Sequence, residues 1–204
     1  LLKKGPLDNQ ALLPTLSRID KQAQRAGAII RNIRTLVGKQ NPHHELTDIN
    51  RLIKNTIELA QVDVNCRAIR FECDFFEQLP MIEIVLGQIQ QVILNLIRNA
   101  CDAMITTSAD QKYITVISEN HPLGFITIRV RDRGIGINRD HNDKLFRAFF
   151  STKSYGMGMG LAISHSIISN HGGEMKINHQ YKDGAEIIFT LPVTPTFKGQ
   201  PDGR

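Results

Sequence analysis

The 204-residue sequence predicts an α+β fold: a two-layer α/β sandwich in which helices cover one face of a mixed, largely antiparallel sheet. Three observations predict it. Helical and strand-like segments follow one another in blocks, in the order helix, strands, helix, strands, helix, strands. Two pairs of strand-like runs are joined as hairpins, through Asn120-His121-Pro122 and Lys182-Asp183-Gly184. Ahead of the sandwich, Leu12, Leu16, Ile19, Ala23, Ala26, Ile30, Ile33 and Val37 trace a near-heptad stripe, which predicts a long preceding helix of dimerisation type.

Each element has its own warrant. Residues 11–38 read as one helix whose narrow apolar stripe calls for a partner helix, and nothing upstream could supply it within the chain. Homodimerisation through this helix is therefore expected. Gly38 to Thr47, with Asn41-Pro42, reads as a linker. Asp48 is placed to cap a helix running to about Val62. Ile69–Phe75 and Met81–Val85 are strand candidates on either side of Pro80, and a helix from Gln88 to about Ile105 follows. Lys112–Ser118 and Phe125–Arg131 form the first expected antiparallel pair. Asp132 to Met159 is irregular and glycine-rich. Leu161–Asn170 is a helix stopped by Gly172-Gly173, and Glu174–His179 with Ala185–Leu191 make the last hairpin. The expected division is a helix over 1–40, a linker over 41–47, a catalytic domain over 48–192 and a loose tail over 193–204.

Composition narrows the function. The formal charge is +5, but the basic residues are scattered, with no Lys/Arg block and no aromatic-interleaved basic strip. ATP or an acidic partner protein explains the charge, and nucleic acid is not an expected partner. No apolar run approaches the ~18 residues of a membrane span, and no signal peptide is visible. The three cysteines, Cys66, Cys73 and Cys101, fit no zinc spacing. Cys101 reads as a small core residue, and a reducing cytoplasm is the expected setting. The chain starts at Leu1, so it reads as part of a longer protein, with any membrane anchor upstream.

The segment Gln91 to Met104 carries a polar stripe inside an apolar helix. Asn95, Asn99 and Asp102 lie at i, i+4 and i+7, on one face, with Gln91 and Arg98 near it. Buried without partners, two amides and a carboxylate would be costly, so a polar ligand is expected to meet them. Asp132 ends a strand and precedes Gly134 and Gly136. A carboxylate there can accept from an exocyclic amine, while the glycines let backbone approach a flat ring; a plain turn would use the same residues. Gly156-Met157-Gly158-Met159-Gly160-Leu161 opens a helix, an arrangement whose free N–H groups suit phosphate. Phe146 to Lys153, with its aromatic residues, reads as a lid segment or as a small satellite cluster. There is no Walker-type P-loop, no dinucleotide fingerprint and no protein-kinase His-Arg-Asp or Asp-Phe-Gly.

Taken in order, these elements resemble the ATP-binding domain of bacterial sensor histidine kinases, within the superfamily shared with gyrase, heat-shock chaperone and mismatch-repair ATPases. Gln91–Met104 resembles the N box, Asp132–Gly136 the G1 box, Phe146–Lys153 the F box and Gly156–Leu161 the G2 box. Asp183-Gly184-Ala185 resembles the last glycine box. The wording of the N box is most similar to kinases of the nitrogen-regulation and oxygen-sensing type. The resemblance implies that Asn99 presents oxygen to Mg²⁺, that Asn95 lies beside the phosphates and that Asp132 recognises the adenine amino group. It implies that Gly134, Gly136 and Ile137 shape the adenine pocket. Gly156, Met157, Gly158, Met159, Gly160 and Leu161 would wrap the triphosphate, with Phe146 in the lid. Arg98, Asp102 and Lys153 are the weaker phosphate-site candidates, and Lys153 joins Asn95 and Asn99 as an expected catalytic group.

The hydrolytic members of that superfamily carry a glutamate one turn before the magnesium asparagine. Here that place is Asn95, whose amide is no general base. The resemblance therefore implies a kinase that passes the γ-phosphoryl of ATP to a histidine and on to a response regulator. The alternatives are a hydrolytic ATPase and a nucleotide-sensing module without transfer. The acceptor histidine is expected upstream of Leu1. His44-Glu45-Leu46 imitates an acceptor motif, but Ile49 stands where proline is expected, so His44 is read as a linker histidine.

Overall fold

The computed structural model describes residues 16, 43–121, 123–138, 140, 142–151 and 158–193. The chain divides into two compact units, Leu1–Asn41 and Pro42–Arg204. Of the first unit only Leu16 is described, so the expected helix over 11–38 and the dimerisation read from it lie outside the described residues. The tail over 194–204 does too.

The second unit is built from β1 (Glu45–Thr47), α1 (Ile49–Ala60), α2 (Val64–Arg67), β2 (Arg70–Phe75), β3 (Ile82–Ile84), α3 (Leu86–Ala103), β4 (Tyr113–His121), β5 (Phe125–Arg131), α4 (Asn142–Leu145), α5 (Gly160–Asn170), β6 (Met175–Ile177) and β7 (Glu186–Pro192). Five strands form one sheet in the order β2-β4-β5-β7-β6. β4, β5, β7 and β6 pair antiparallel, as the two hairpins predict, whereas β2 runs parallel to β4. A parallel neighbour needs a crossover connection, and the segment through β3 and α3 supplies it. The sheet is therefore mixed and largely antiparallel, as expected.

Along β5 the side chains alternate. Ile126, Ile128 and Val130 are buried, as are Ile187, Phe189 and Leu191 of β7. Against them pack the helices, with α3 in the middle of the layer touching α1, α5 and the sheet. The stripe of α1, Ile49, Leu52, Ile53, Thr56, Ile57 and Ala60, is buried at helical spacing. Asp48 caps it by accepting a hydrogen bond from Arg51 N–H at 3.1 Å. The buried stripe of α3 runs Ile89, Val92, Ile93, Leu96, Ile97, Ala100 and Cys101. This leaves Gln91, Asn95, Asn99 and Asp102 half-buried on the remaining face.

One expectation is corrected. The segment read as a linker ends in a strand, because β1 pairs antiparallel with β3, Thr47 opposite Ile82 and Glu45 opposite Ile84. The Met81–Val85 strand accordingly belongs to this separate two-stranded ribbon and not to the main sheet. Ile82 and Ile84 are fully buried beneath it, which is why three residues suffice.

The start of α3 is held by a histidine. Its N-cap, Val85, has no capping side chain of its own. Instead Val85 N–H donates to His171 Nε2 at 3.1 Å, and His171 Nδ1 lies 2.8 Å from the Ile167 carbonyl. The ring is thus pinned as the neutral Nδ1–H tautomer. Burial pushes its pKa below the ordinary histidine value, outweighing the opposite pull of the Ile167 carbonyl. The unfolded chain then takes up a proton near pH 6.5 that the folded chain refuses. Stability contributed by this group is present above that pH and is lost as the pH falls. Urea denaturation between pH 7 and pH 5 is expected to show a steeper loss of stability for the native sequence than for His171→Phe.

On the open face of the sheet, Glu186 is fully buried, 0% exposed. Its carboxylate lies 2.5 Å from Arg131 Nε and 3.8 Å from Arg129 Nη1, and it also accepts from the Asn178 amide. Arg131 and Glu186 stand opposite each other in the β5–β7 register, so the pairing is a cross-strand contact.

Candidate nucleotide site

Asn95 and the glycine segment meet directly. Asn95 Nδ2 donates to Ser164 Oγ at 2.9 Å, and Ser164 is only 2% exposed. Asn95 Oδ1 is turned to Gly160, the first residue of α5, where a Cβ would overlap the carboxamide. Glycine is required here by close approach. The contact brings the α5 N-terminus, with its free N–H groups, against the polar face of α3. Asn99 lies one turn further along that face, half-buried.

The Asp132 loop docks on the C-terminal end of α3. Ile135 N–H donates to the Ala103 carbonyl at 3.3 Å, and a Cβ on Gly134 would stand 2.6 Å from that same oxygen. Asp132 is buried. Its Oδ1 accepts from Gly134 N–H at 2.9 Å and from Ala185 N–H at 3.2 Å, while its backbone N–H donates to Ala185 O. Gly184 lies against the Asp132 carbonyl, and Gly136, at φ 72°, faces the Gly184 carbonyl. One carboxylate therefore ties the loops on both sides of it. Ile137 is half-buried next to this cluster in sequence.

The lid segment is partly described. Phe146 rests on the His165 ring of α5, centroids 5.1 Å apart. Phe149 has φ 69°, the only positive value at a non-glycine among the described residues, and is 79% exposed. Backbone in that region is costly for a bulky residue. Gly158, at φ 65°, packs on the Phe149–Phe150 backbone, so the two ends of the segment between are close. Met159 is buried and accepts from Ile163 N–H as α5 begins; Leu161 is half-buried. Lys153, Gly156 and Met157 lie outside the described residues.

Asn95, Gly158, Met159, Gly160 and Leu161 are thus brought together beside the middle of α3, and Asp132, Gly134 and Gly136 at its C-terminal end. Arg98 goes elsewhere: its Nε lies 3.7 Å from Asp63 Oδ2, and with Asp102 it lines a separate cavity of about 310 Å³. Cys101, in the same lining, is buried as expected, but it is disulfide-bonded to Cys66 and is more than a small core residue. Sequence reasoning missed Ser164. Its position four residues after Gly160, hence on the same helical face, was the available signal. Ser164→Ala removes the acceptor of the Asn95 amide and is expected to cost about 1 kcal/mol of stability, with Ser164→Thr recovering part of it; urea denaturation would show this.

Residues 85–195 match the family model described as "Histidine kinase-, DNA gyrase B-, and HSP90-like ATPase". The sensor protein FixL of Bradyrhizobium diazoefficiens is 38% identical, over 87% of this chain and 35% of that protein. The sensor protein TdiS of Thauera aromatica is 30% identical, over 91% of this chain and 33% of that one. The chain spans about a third of the length of these curated relatives. Among solved structures, the nucleotide-free catalytic domain of histidine kinase ThkA superposes with a TM-score of 0.64 at 28% identity, covering 74% of this chain and 97% of that one. Full-length ShkA in complex with AMPPNP gives 0.75 at 21% identity, over 96% of this chain and 41% of ShkA, a likeness of fold. The chain belongs to the histidine kinase-, DNA gyrase B- and HSP90-like ATPase family, and it carries the ATP-binding catalytic domain of a sensor histidine kinase.

Proposed function

We propose that this chain binds Mg²⁺·ATP between α3 and the glycine segment and transfers the γ-phosphoryl group to a histidine on a separate acceptor helix. The phosphoryl group then passes to an aspartate of a response regulator. The observation that carries the reading is Asn95, which donates to Ser164 and packs on Gly160; by the resemblance it stands where a hydrolase carries its water-activating glutamate. An amide there orients polar groups but removes no proton, so ATP is kept for the acceptor.

Among the described residues no three His, Cys, Asp or Glu side chains gather to hold a metal. Asn99 offers one amide oxygen on the half-buried face, a donor that suits Mg²⁺, which takes few protein ligands and keeps water and phosphate oxygens. When bound, the ion supplies neutralisation of phosphate charge. The chain's own groups do the positioning. Asn99 fixes the phosphate end of α3, Asp132 accepts from the adenine amine, and Gly134, Gly136 and Ile137 shape the base pocket. Gly156, Met157, Gly158, Met159, Gly160 and Leu161 enclose the phosphates, with Phe146 and Lys153 in the lid. Arg98, turned to Asp63, and Asp102 are proposed only to support this face from the neighbouring cavity.

Residues 1–40 are proposed as the second helix of a dimerisation hairpin, 41–47 as a connection whose last three residues pair as β1, 48–192 as the catalytic domain and 193–204 as its tail. Two chains associate through the first of these. The proposed setting is the cytoplasm; no helix among the described residues is long and apolar enough to cross a membrane. His44 rests 5.9 Å from the His171 ring, a packing contact consistent with a linker histidine.

Two measurements test this reading. Phosphate release from ATP without any acceptor is expected to be negligible; sustained turnover would favour the hydrolytic ATPase. Asn95→Glu, which installs a carboxylate where water activation occurs, is expected to raise that background at least fivefold at unchanged ATP affinity.

A further inference from the structure

Cys66 and Cys101 take no part in the nucleotide face. Cys66 sits on α2, and Cys101 on α3 between Ala100 and Asp102. Their Cα atoms are 5.5 Å apart, within the range a disulfide spans without backbone movement. Both are almost fully buried, yet both line the cavity of about 310 Å³ that they share with Asp63, Arg98 and Asp102. A small reagent entering it reaches the wall formed by the two cysteines. The lining carries two carboxylates and one guanidinium, so it disfavours anionic reagents. Cys73, exposed on β2, is free and stands apart.

We propose that Cys66 and Cys101 form a reversible thiol–disulfide exchange site that takes small uncharged disulfides and, when oxidised, clamps α2 to the helix carrying Asn95 and Asn99. One cysteine thiolate attacks a sulfur of the small disulfide, whose S–S bond breaks. A mixed disulfide forms and one small thiolate leaves, to be protonated. The second cysteine, its proton released to solvent, attacks the protein sulfur of that mixed disulfide and expels the second small thiol. The cysteine pair gives up two electrons and two protons, and the small disulfide takes up both; a dithiol reductant reverses the sequence. The link closes a loop with a sequence separation of 35 residues, which contains β2, β3 and most of α3. Constraining so long a loop in the unfolded chain raises the melting temperature of the oxidised form by roughly 10 °C.

The test uses the whole chain. The reduced protein is titrated with 2-hydroxyethyl disulfide, quenched in acid, unfolded, labelled with N-ethylmaleimide and weighed intact. Labelled thiols are expected to fall from three to one, with Cys66 linked to Cys101 in the peptide map and Cys73 labelled. Dithiothreitol restores three, and the oxidised form melts higher. Glutathione disulfide, an anion, reacts several-fold more slowly. Three labelled thiols at every concentration, a link involving Cys73, equal rates with the two disulfides, or an unchanged melting temperature would overturn the proposal. None of these readouts depends on kinase activity.

Discussion

Replacing Asn99 with alanine is expected to reduce Mg²⁺-dependent phosphoryl transfer by roughly 10²–10³-fold, the cost typical of deleting one preorganised polar group at a charged transition state. The fold should survive. Asn99 is half-buried on the polar face and contributes nothing to the buried stripe of α3. Alanine also has the higher helix propensity, so stability should change by no more than about 0.5 kcal/mol. Transfer rates to a supplied acceptor domain, measured beside circular dichroism melting, separate the two effects. A further control is the metal dependence of ATP binding. Removing Mg²⁺ should weaken ATP binding to the native sequence strongly and to Asn99→Ala only slightly, because the variant lacks the oxygen proposed to hold the ion.

The second large effect is on stability and lies far from the nucleotide. Glu186→Ala is expected to lower the unfolding free energy by about 3 kcal/mol and the melting temperature by roughly 6–12 °C. Glu186 is fully buried and meets Arg131, Arg129 and Asn178 at once. Its removal leaves the Arg131 guanidinium and the Asn178 amide without this acceptor, while Arg129 keeps Glu119 at 2.9 Å. Arg131 is about one-third exposed and can rehydrate in part, which places the cost at the low end for a broken buried pair. Glu186→Gln keeps the shape and an acceptor for Asn178, so its loss should be about half as large. Nucleotide affinity measured below the melting range should be unchanged in both.

What could be read from sequence depended on how local the determining physics is. The helices α1, α3 and α5 and the two antiparallel hairpins follow from periodicity, a capping aspartate and turn residues, all within a few positions of one another. The β1–β3 ribbon does not. Glu45-Leu46-Thr47 is too short to show alternation, and its partner is Ile82–Ile84, far along the chain. The parallel pairing of β2 with β4 is likewise a property of the crossover and not of Arg70–Phe75 itself. At the site, the stripe Asn95, Asn99 and Asp102 was legible because apolar positions surround it. Ser164 was not: its spacing from Gly160 marks a shared helical face, but only the packing of α5 on α3 shows that it meets Asn95. An odd set of three cysteines named no pair; only the approach of α2 to α3 joins Cys66 to Cys101.

The central claim is that this chain moves phosphoryl groups to histidine and does not spend ATP on water. It is tested most directly by mixing the chain with Mg²⁺, γ-labelled ATP and an acceptor-helix hairpin domain from a sensor histidine kinase. The prediction is label on the acceptor in an acid-labile, alkali-stable form, with little free phosphate released. ATP bound tightly without label reaching the acceptor, or phosphate released while the acceptor stays unlabelled, would contradict it.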